Sequence, residues 1–236
     1  MKKILVSFGG KQLGKNRHNF SYNIVRNYSA EVKRLFESAK SYFDGFWEYD
    51  NDWIYNSAYY QTDARKVLDC TSFGWAFKPI SIFDALSMTD DGDIVMWVDS
   101  NDLIIDDPQP VFDLLSQCGI FCHDHYPQIY PCYQWTQTDM FIGMDCNEEK
   151  YWNAPQMQVN IMAFSKNSFT MHFIEEWVKY AIDYDIMIQN NVKNMGGFVQ
   201  HRHEQSIFSI LREKYELPFC MGYPYGIAKE EMGICM

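Results

Sequence analysis

Apolar residues along the chain recur with two different periods, and the two kinds of segment alternate. Short apolar runs at 4–8, 46–50, 94–98, 120–122 and 157–164 are typical of β-strands. Apolar residues at helical spacing occur within 32–43, 82–86, 111–115, 169–181 and 207–215. This order of strands and helices predicts an α/β fold, in which a mainly parallel, Rossmann-type sheet is flanked by helices on both faces.

The most informative strand is the run 94–98, because all five of its residues are apolar. Such a strand is expected to be buried on both faces, as in the middle of a parallel sheet. Asp99 follows directly, and Asn101 and Asp102 come just after it. Ligands of open α/β sheets bind at the carboxyl ends of the strands, so we expect a binding site at Asp99.

The charge distribution adds to this expectation. No Lys or Arg occurs in the 71 residues from 79 to 149, which carry fourteen Asp or Glu. Nucleic acid is therefore an improbable partner, because its binding depends on cations that neutralise phosphates. With no basic neighbour in sequence, Asp99 is expected to bind Mg²⁺ or Mn²⁺ together with Asn101 or Asp102. The alternative is an Asx-turn, in which Asp99 or Asn101 only caps its own backbone.

Length and composition indicate one domain over 1–236. The chain has 236 residues, of which 47% are hydrophobic, and this is enough for one substantial core. No apolar stretch is long enough for a transmembrane helix, and the first residues do not resemble a secretory leader, so we expect a cytoplasmic protein. The seven cysteines include no CxxC pair, which indicates reduced thiols.

Several common catalytic motifs are missing. The segment 7–11 reads SFGGK, which does not have the P-loop spacing, and the chain contains no GxGxxG, GxSxG or HExxH. P-loop hydrolases, dinucleotide oxidoreductases, ordinary α/β hydrolases and zincins are therefore disfavoured.

Three blocks of sequence resemble the GT-A glycosyltransferases, which transfer a sugar from a nucleoside diphosphate sugar. The first, IVMWVDSND at 94–102, resembles their Asp-x-Asp metal motif. The second, FGWAFKP at 73–79, and the third, HRHEQSIFSILREKY at 201–215, resemble segments of small single-domain bacterial and viral members. The chain is similar in type to the compact transferase domain of chlorella viruses. This chain departs from the family pattern at Asn101, an amide in place of a carboxylate, and at Glu204, where the family usually has Asp.

The resemblance implies roles for particular residues. Asp99 and Asn101 would hold Mn²⁺ or Mg²⁺, and His203 or His201 would complete the metal shell. Lys78 would contact the donor phosphates, although a solvated surface lysine is the alternative. Glu204 would act as the general base, with its anion stabilised by the helix N-terminus, although it could instead only cap the helix.

The end of the first strand is expected to lie beside the nucleotide. Gly9 and Gly10 would let the backbone approach the base or ribose, with Ser7 next to them; a plain turn would also need glycine. The donor side is thus assigned to about 1–105 and the acceptor side to about 106–236.

Aromatic and amide residues dominate the stretch 123–156, which we interpret as an irregular acceptor-binding loop. Rings stack on sugar faces and amides bind hydroxyls. The candidates are Tyr126, Tyr130, Tyr133, Trp135, Tyr151 and Trp152, with Gln128, Gln134 and Gln137.

The sequence thus favours a metal-dependent glycosyltransferase of hexosyl type. It would move a sugar from a nucleotide-sugar donor, most simply a UDP-sugar, to a saccharide or glycan acceptor in polysaccharide synthesis. Two alternatives stay open: a sugar-nucleotide nucleotidyltransferase, for which the basic glycine-containing segment 8–17 would bind a triphosphate, and a non-catalytic carbohydrate-binding protein.

Overall fold

The computed structural model describes residues 1–15, 22–125, 128–222 and 227–229. The strands are β1 Lys3–Phe8, β2 Lys11–Lys15, β3 Tyr22–Asn27, β4 Gly45–Tyr49, β5 Ile94–Val98, β6 Asp102–Ile104, β7 Ile120–His123, β8 Gln158–Ser165 and β9 Ile227–Lys229. The helices are α1 Ser29–Ala39, α2 Asn51–Asn56, α3 Arg65–Leu68, α4 Phe77–Met88, α5 Gln109–Cys118, α6 Cys132–Trp135, α7 Thr138–Gly143, α8 Glu149–Trp152, α9 Ser168–Ala181, α10 Tyr184–Met187 and α11 Glu204–Lys214. Short 3₁₀ segments cover Ala58–Gln61 and Thr71–Trp75.

A five-stranded sheet in the order β4-β1-β5-β8-β7 forms the centre of the fold. β1 is parallel to both β4 and β5, whereas β8 is antiparallel to its neighbours β5 and β7. Four of the five strands therefore run in the same direction. The predicted fold class is confirmed in this respect, with one reversed strand that the sequence pattern did not indicate.

Two separate hydrophobic clusters lie on the two faces of this sheet. Along β5, Val95 and Trp97 belong to one cluster, while Ile94, Met96 and Val98 belong to the other. Helices α4, α9 and α11 contribute to the first cluster, and α1 and α5 contribute to the second. Because both faces are covered, β5 is buried throughout, as its apolar sequence predicted.

The expectation of an irregular loop at 123–156 is wrong in part. Helices α6, α7 and α8 lie in this stretch, and several of its side chains are buried in the core. The buried ones include Cys132, Met140, Phe141, Met144 and Cys146. Their apolar surface packs with residues of α10 and α11 in the same cluster, and this burial orders turns too short to show a helical period.

The antiparallel pairs β2–β3 and β6–β9 were also not anticipated. The alternative of a triphosphate-binding loop uses the segment 8–17. Its described part contains the end of β1, Gly9, Gly10 and the strand β2, and residues 16–17 lie outside the described residues. β2 and β3 carry few apolar residues in alternation, so their pairing leaves little trace in the sequence.

Within the described part of the chain, no helix combines the length and apolar character needed to cross a bilayer.

A glycine ends α5 at the point where the chain turns into β7. Gly119 has φ +79°, and its N–H donates to the Leu115 carbonyl at 2.7 Å. A Cβ at this position would lie 2.5 Å from Asn167 Nδ2 and 2.8 Å from Thr170 Oγ1. Asn167 caps α9, because its side chain accepts from the Thr170 N–H.

We expect Gly119→Ala to destabilise the protein more than Gly92→Ala. Both positions have positive φ, but a Cβ at Gly92 would meet nothing within 4 Å. Gly92→Ala should therefore cost only the left-handed backbone term of about 1–2 kcal/mol. Gly119→Ala should lose about 1 kcal/mol more, because it also displaces the cap of α9. Urea unfolding of both variants measures the difference, and equal losses would contradict this account.

Candidate functional site

An open cavity lies at the carboxyl ends of β1 and β5, and we call it the edge cavity. Its lining residues are Phe8, Lys11, Tyr28, Ser72, Phe73, Trp75, Phe77, Lys78, Trp97, Asp99, Ser100 and Asn101. Six of these are aromatic and six are polar, and the one carboxylate among them is Asp99. The cavity therefore lies where the sequence placed a binding site.

Asp99 is held by two donors that both bond to the same oxygen. Lys78 Nζ lies 2.9 Å from Asp99 Oδ1, and the Trp97 indole N–H donates to this oxygen at 2.7 Å. The side chain keeps 33% of its surface exposed. Because both contacts are made to Oδ1, Oδ2 is the oxygen that the described residues leave to bind a ligand.

Lys78 is buried, so it is not a solvated surface lysine. Only 4% of the residue is exposed, and its ammonium group also donates to the Val159 carbonyl at 2.9 Å. A second carboxylate, Glu204, lies 3.8 Å from the same ammonium group. A buried cation is tolerated when opposite charges and hydrogen bonds surround it, and Lys78 has both. The structure thus supplies Asp99 with a basic neighbour that is remote in sequence.

Glu204 begins α11 and is 4% exposed. The pKa of Glu204 is raised from its usual 4.5 to about 8, mainly by burial and to a lesser extent by the Asp99 charge, while Lys78 and two backbone N–H groups oppose the increase. The expectation that the helix N-terminus stabilises the anion was therefore incomplete, because desolvation outweighs the helix. A carboxyl group with a pKa near neutrality is suited to proton transfer.

One wall of the edge cavity is built from strained backbone. Ser72, Phe73 and Trp75 have φ of 53°, 53° and 61°, in the left-handed region that disfavours side chains. Gly74, between them, has φ +56°. Each such non-glycine residue costs about 1–3 kcal/mol, and such strain is concentrated at functional sites. The strained turn directs Ser72, Phe73 and Trp75 to the cavity.

The two histidines before α11 pack against this wall. The ring of His203 stacks on Trp75 with centroids 4.7 Å apart, and His201 contacts His203 edge-on. Burial lowers the pKa of His203, and it lowers the pKa of His201 to about 3. Both imidazoles are therefore neutral at physiological pH. His203 also has φ 50°, which makes it a further strained residue of the site.

The donor set of the edge cavity fits a hard divalent cation with few protein ligands. Asp99 and Asn101 both line it, and Mg²⁺ needs only one or two protein oxygens besides phosphates and water. Asp102 is fully buried and accepts a hydrogen bond from Asn160 at 2.9 Å, so Asn101 is the better second ligand. No group of three His, Cys, Asp or Glu that could hold a metal ion occurs among the residues described.

The residues expected beside the nucleotide at the end of β1 are engaged elsewhere. The buried Ser7 hydroxyl donates to the Val98 carbonyl at 2.7 Å and so links β1 to β5. A Cβ on Gly9 would lie 1.9 Å from Glu48 Oε1, and one on Gly10 would lie 2.4 Å from Asn51 Oδ1. These close approaches give both glycines a packing reason that does not require a nucleotide.

The structure brings several residues to the cavity that the sequence analysis did not select. They are Phe8, Lys11, Tyr28, Phe73, Trp75, Phe77 and Trp97. Phe73, Trp75 and Phe77 belong to the block 73–79, but only its lysine was given a role. The sequence could have identified Trp97. Alternate residues of a strand lie on the same face, and Asp99 follows Trp97 by two positions, so the two side chains are expected to be neighbours.

The rings proposed for acceptor binding are divided among different environments. Tyr130 and Trp135 line a second cavity. Tyr151 is buried in the core, Trp152 donates to Asn147, and Gln137 donates to the Ile186 carbonyl. Gln128 accepts from the Tyr130 hydroxyl, and Gln134 donates to that of Tyr133. Tyr126 lies outside the described residues.

No protein-family model matches this chain, and no curated protein matches it either. Among solved structures, the apo crystal structure of mouse xyloside xylosyltransferase 1 is similar at a TM-score of 0.48. The two chains are 12% identical, and the match covers 94% of this chain and 85% of that one. At this identity and TM-score the likeness does not bear on activity, and the resemblance to small viral and bacterial transferases rests on the sequence blocks alone.

We expect Glu204→Gln to change the pH dependence of stability. Between pH 4.5 and about 8 the folded protein keeps a proton on Glu204 that the unfolded chain releases, so this group's contribution to stability is lost as the pH rises through that range. Glutamine imitates the protonated form and loses nothing. The stability of Glu204→Gln relative to the wild type should therefore increase from pH 5 to pH 8.5.

Urea unfolding at these two pH values measures the effect. Glu149→Gln is the control, because Glu149 is exposed. A constant difference between Glu204→Gln and the wild type would show that the Glu204 carboxyl has an ordinary pKa.

Proposed function

We propose that this protein is a metal-dependent glycosyltransferase that transfers a sugar, of hexosyl type, from a nucleotide-sugar donor to a saccharide or glycan acceptor. A UDP-sugar is the first donor to test, and surface polysaccharide or glycan synthesis is the proposed context. The observation that carries the proposal is the edge cavity at the carboxyl ends of parallel strands, where Asp99, Lys78 and Asn101 meet several aromatic rings.

The lining of the edge cavity supports a nucleoside diphosphate as ligand. Tyr28, Trp75 and Phe8 offer ring faces or edges on which a flat base can pack. Lys11 and Lys78 are cations, and the Asn101 side chain can donate and accept. The residues of this cavity all lie within 8–101, which agrees with the proposed donor half at about 1–105 and leaves about 106–236 for the acceptor.

A cation at Asp99 and Asn101 would act as a Lewis acid that neutralises charge on the departing diphosphate. The chain's own contribution is to hold Asp99 in place through Lys78 and Trp97. Lys78 is neutralised by Asp99 and also lies 3.8 Å from Glu204, so we assign it mainly to positioning these two side chains. Its ammonium group also lines the cavity, where a phosphate oxygen could share it.

Glu204 is the proposed base that takes the proton from the acceptor hydroxyl. Its raised pKa and its place beside Lys78 and Asp99 support this role. His203, the residue before it, stacks on Trp75 of the edge cavity, so Glu204 lies next in sequence to a residue packed on the cavity wall.

Product analysis separates the proposed function from its two alternatives. A nucleotidyltransferase would release pyrophosphate from a sugar phosphate and a nucleoside triphosphate. A non-catalytic binding protein would bind metal and nucleotide without consuming any donor. A glycosyltransferase would release UDP, GDP or dTDP from the matching nucleotide sugar.

We expect Asp99→Asn to weaken UDP binding in the presence of Mn²⁺ by about tenfold or more, equivalent to about 1.4 kcal/mol. EDTA should weaken the wild type to a similar extent and have little further effect on the variant. Isothermal titration calorimetry measures both, and Asp91→Asn is the control because Asp91 is exposed in the same acidic stretch.

Circular dichroism must accompany this titration, because Asp99→Asn also removes a partner of the buried Lys78. Asn101→Asp should bind Mn²⁺ more tightly. Affinity for UDP, GDP and dTDP that does not respond to EDTA would refute the metal assignment.

We expect Glu204→Gln to reduce sugar transfer by about 10²- to 10⁴-fold, which is the usual effect of removing a general base. UDP affinity should change little, because the substitution keeps the shape of the side chain. In the wild type the transfer rate should rise with pH up to about 8, where Glu204 loses its proton, and then level off. Steady-state kinetics across pH measure this, and a loss below about tenfold would leave Glu204 as a structural residue.

A further inference from the structure

A second cavity lies beside α6 and α11, and we call it the Gln156 cavity. It is lined by His125, Tyr130, Trp135, Gln156, Arg202 and Gln205 and has a volume of about 150 Å³. Liquid water occupies roughly 30 Å³ per molecule, so the cavity holds either several waters or one small ring. No residue is shared between its lining and that of the edge cavity.

Gln156 is the unusual residue of this cavity. It is 2% exposed, yet neither its Oε1 nor its Nε2 has a hydrogen-bond partner among the described residues. The indole N–H of Trp135 is likewise buried without a partner. Leaving such a group unsatisfied costs about 1–3 kcal/mol, so an unsatisfied donor and acceptor on one buried amide indicate a missing partner.

Hydrogen bonds hold the backbone on both sides of Gln156, and they fix the position of its side chain. Its N–H donates to the Tyr130 carbonyl at 2.7 Å, and the next N–H, that of Met157, donates to Ser209 Oγ at 2.9 Å. Pro131 and Pro155 form an isolated bridge next to it. The amide is therefore presented to the cavity by fixed backbone.

Aromatic rings form the other part of the lining. Tyr130 and Trp135 meet edge to face with centroids 5.4 Å apart, and His125 meets Tyr130 in the same way at 5.1 Å. The Trp135 carbonyl accepts from the Arg202 N–H at 3.0 Å and from Ser206 Oγ at 2.8 Å, which ties this ring to α11. Arg202 packs its guanidinium over the Trp135 ring at 4.8 Å.

We propose that the Gln156 cavity binds one sugar ring of the acceptor, with the Gln156 amide bonded to a pair of adjacent hydroxyl groups. An amide offers a donor and an acceptor side by side, which matches two neighbouring hydroxyls. The rings of Tyr130 and Trp135 supply the apolar contact that C–H faces of a sugar require. This inference rests on the proposed function only in that it calls the bound sugar an acceptor. The binding of a sugar ring can be tested independently of that function.

The position of the cavity suits an acceptor site. Arg202 and Gln205 line it, and between them lie His203, which stacks on Trp75 of the edge cavity, and Glu204, the proposed base. The segment 202–205 therefore lines the Gln156 cavity and packs on one lining residue of the edge cavity. A sugar ring in the Gln156 cavity would be held next to the segment that carries Glu204.

The test uses the full chain and the methyl glycosides of glucose, galactose, mannose and xylose as probes. Saturation-transfer NMR and tryptophan fluorescence report binding, and UDP with Mn²⁺ is titrated separately. We expect at least one glycoside to bind alongside UDP, and its affinity to fall about tenfold or more in Gln156→Met, which keeps the volume of the side chain but removes both polar atoms. Gln200→Met is the control, because Gln200 is exposed nearby.

Should Gln156→Met fail to fold, Gln205→Met provides the second variant, since Gln205 lines the same cavity. The inference is overturned if no glycoside binds the wild type, in which case the cavity holds water only, or if affinity is the same in both variants and the wild type. A glycoside that binds through Gln156 to a protein without UDP affinity would keep this inference and refute the proposed function. If instead UDP binds and the donor is hydrolysed, but Gln156→Met does not change glycoside affinity, the proposed function is kept and this inference is refuted.

Discussion

The buried ammonium group of Lys78 is the interaction on which the site depends. It comes from α4, and its partners are Asp99 at the end of β5, the Val159 carbonyl in β8 and Glu204 at the start of α11. One cation thus joins four elements at a single point. Removing one partner from a buried charge is strongly destabilising, so these elements are fixed relative to one another.

The same cluster explains the protonation states that the site needs. Lys78 lies between two carboxylates, of which Asp99 is partly exposed and Glu204 is buried. The low polarity around Glu204 and the charge on Asp99 both favour a proton on Glu204 near neutral pH. The two carboxyl groups can therefore serve different purposes: Asp99 lines the edge cavity, where it can bind a cation, and Glu204 can move a proton.

Strain and aromatic packing surround this cluster. The left-handed turn at Ser72, Phe73 and Trp75 and the left-handed His203 meet through the stack of Trp75 on His203. Backbone strain at both ends of one contact is stable only because the packed environment compensates for it. The stack also connects the wall of the edge cavity to the segment that lines the Gln156 cavity.

The sequence by itself determined the order of the five central strands and of the longer helices, the buried strand β5 and the location of Asp99 at its end, because their periodicity is a local property of a chain. It also singled out Lys78 and Glu204, although through a resemblance. Only the tertiary structure decided that Lys78 neutralises Asp99, that Asn101 and not Asp102 shares its cavity, and that Glu204 is raised in pKa. It also decided that Ser7 bonds across the sheet and that the Gln156 amide finds no hydrogen-bond partner among the residues the structure describes. Each of these properties depends on groups that are far apart in sequence. Tertiary packing decides which of them meet and how deeply they are buried, and a local sequence pattern does not contain this information.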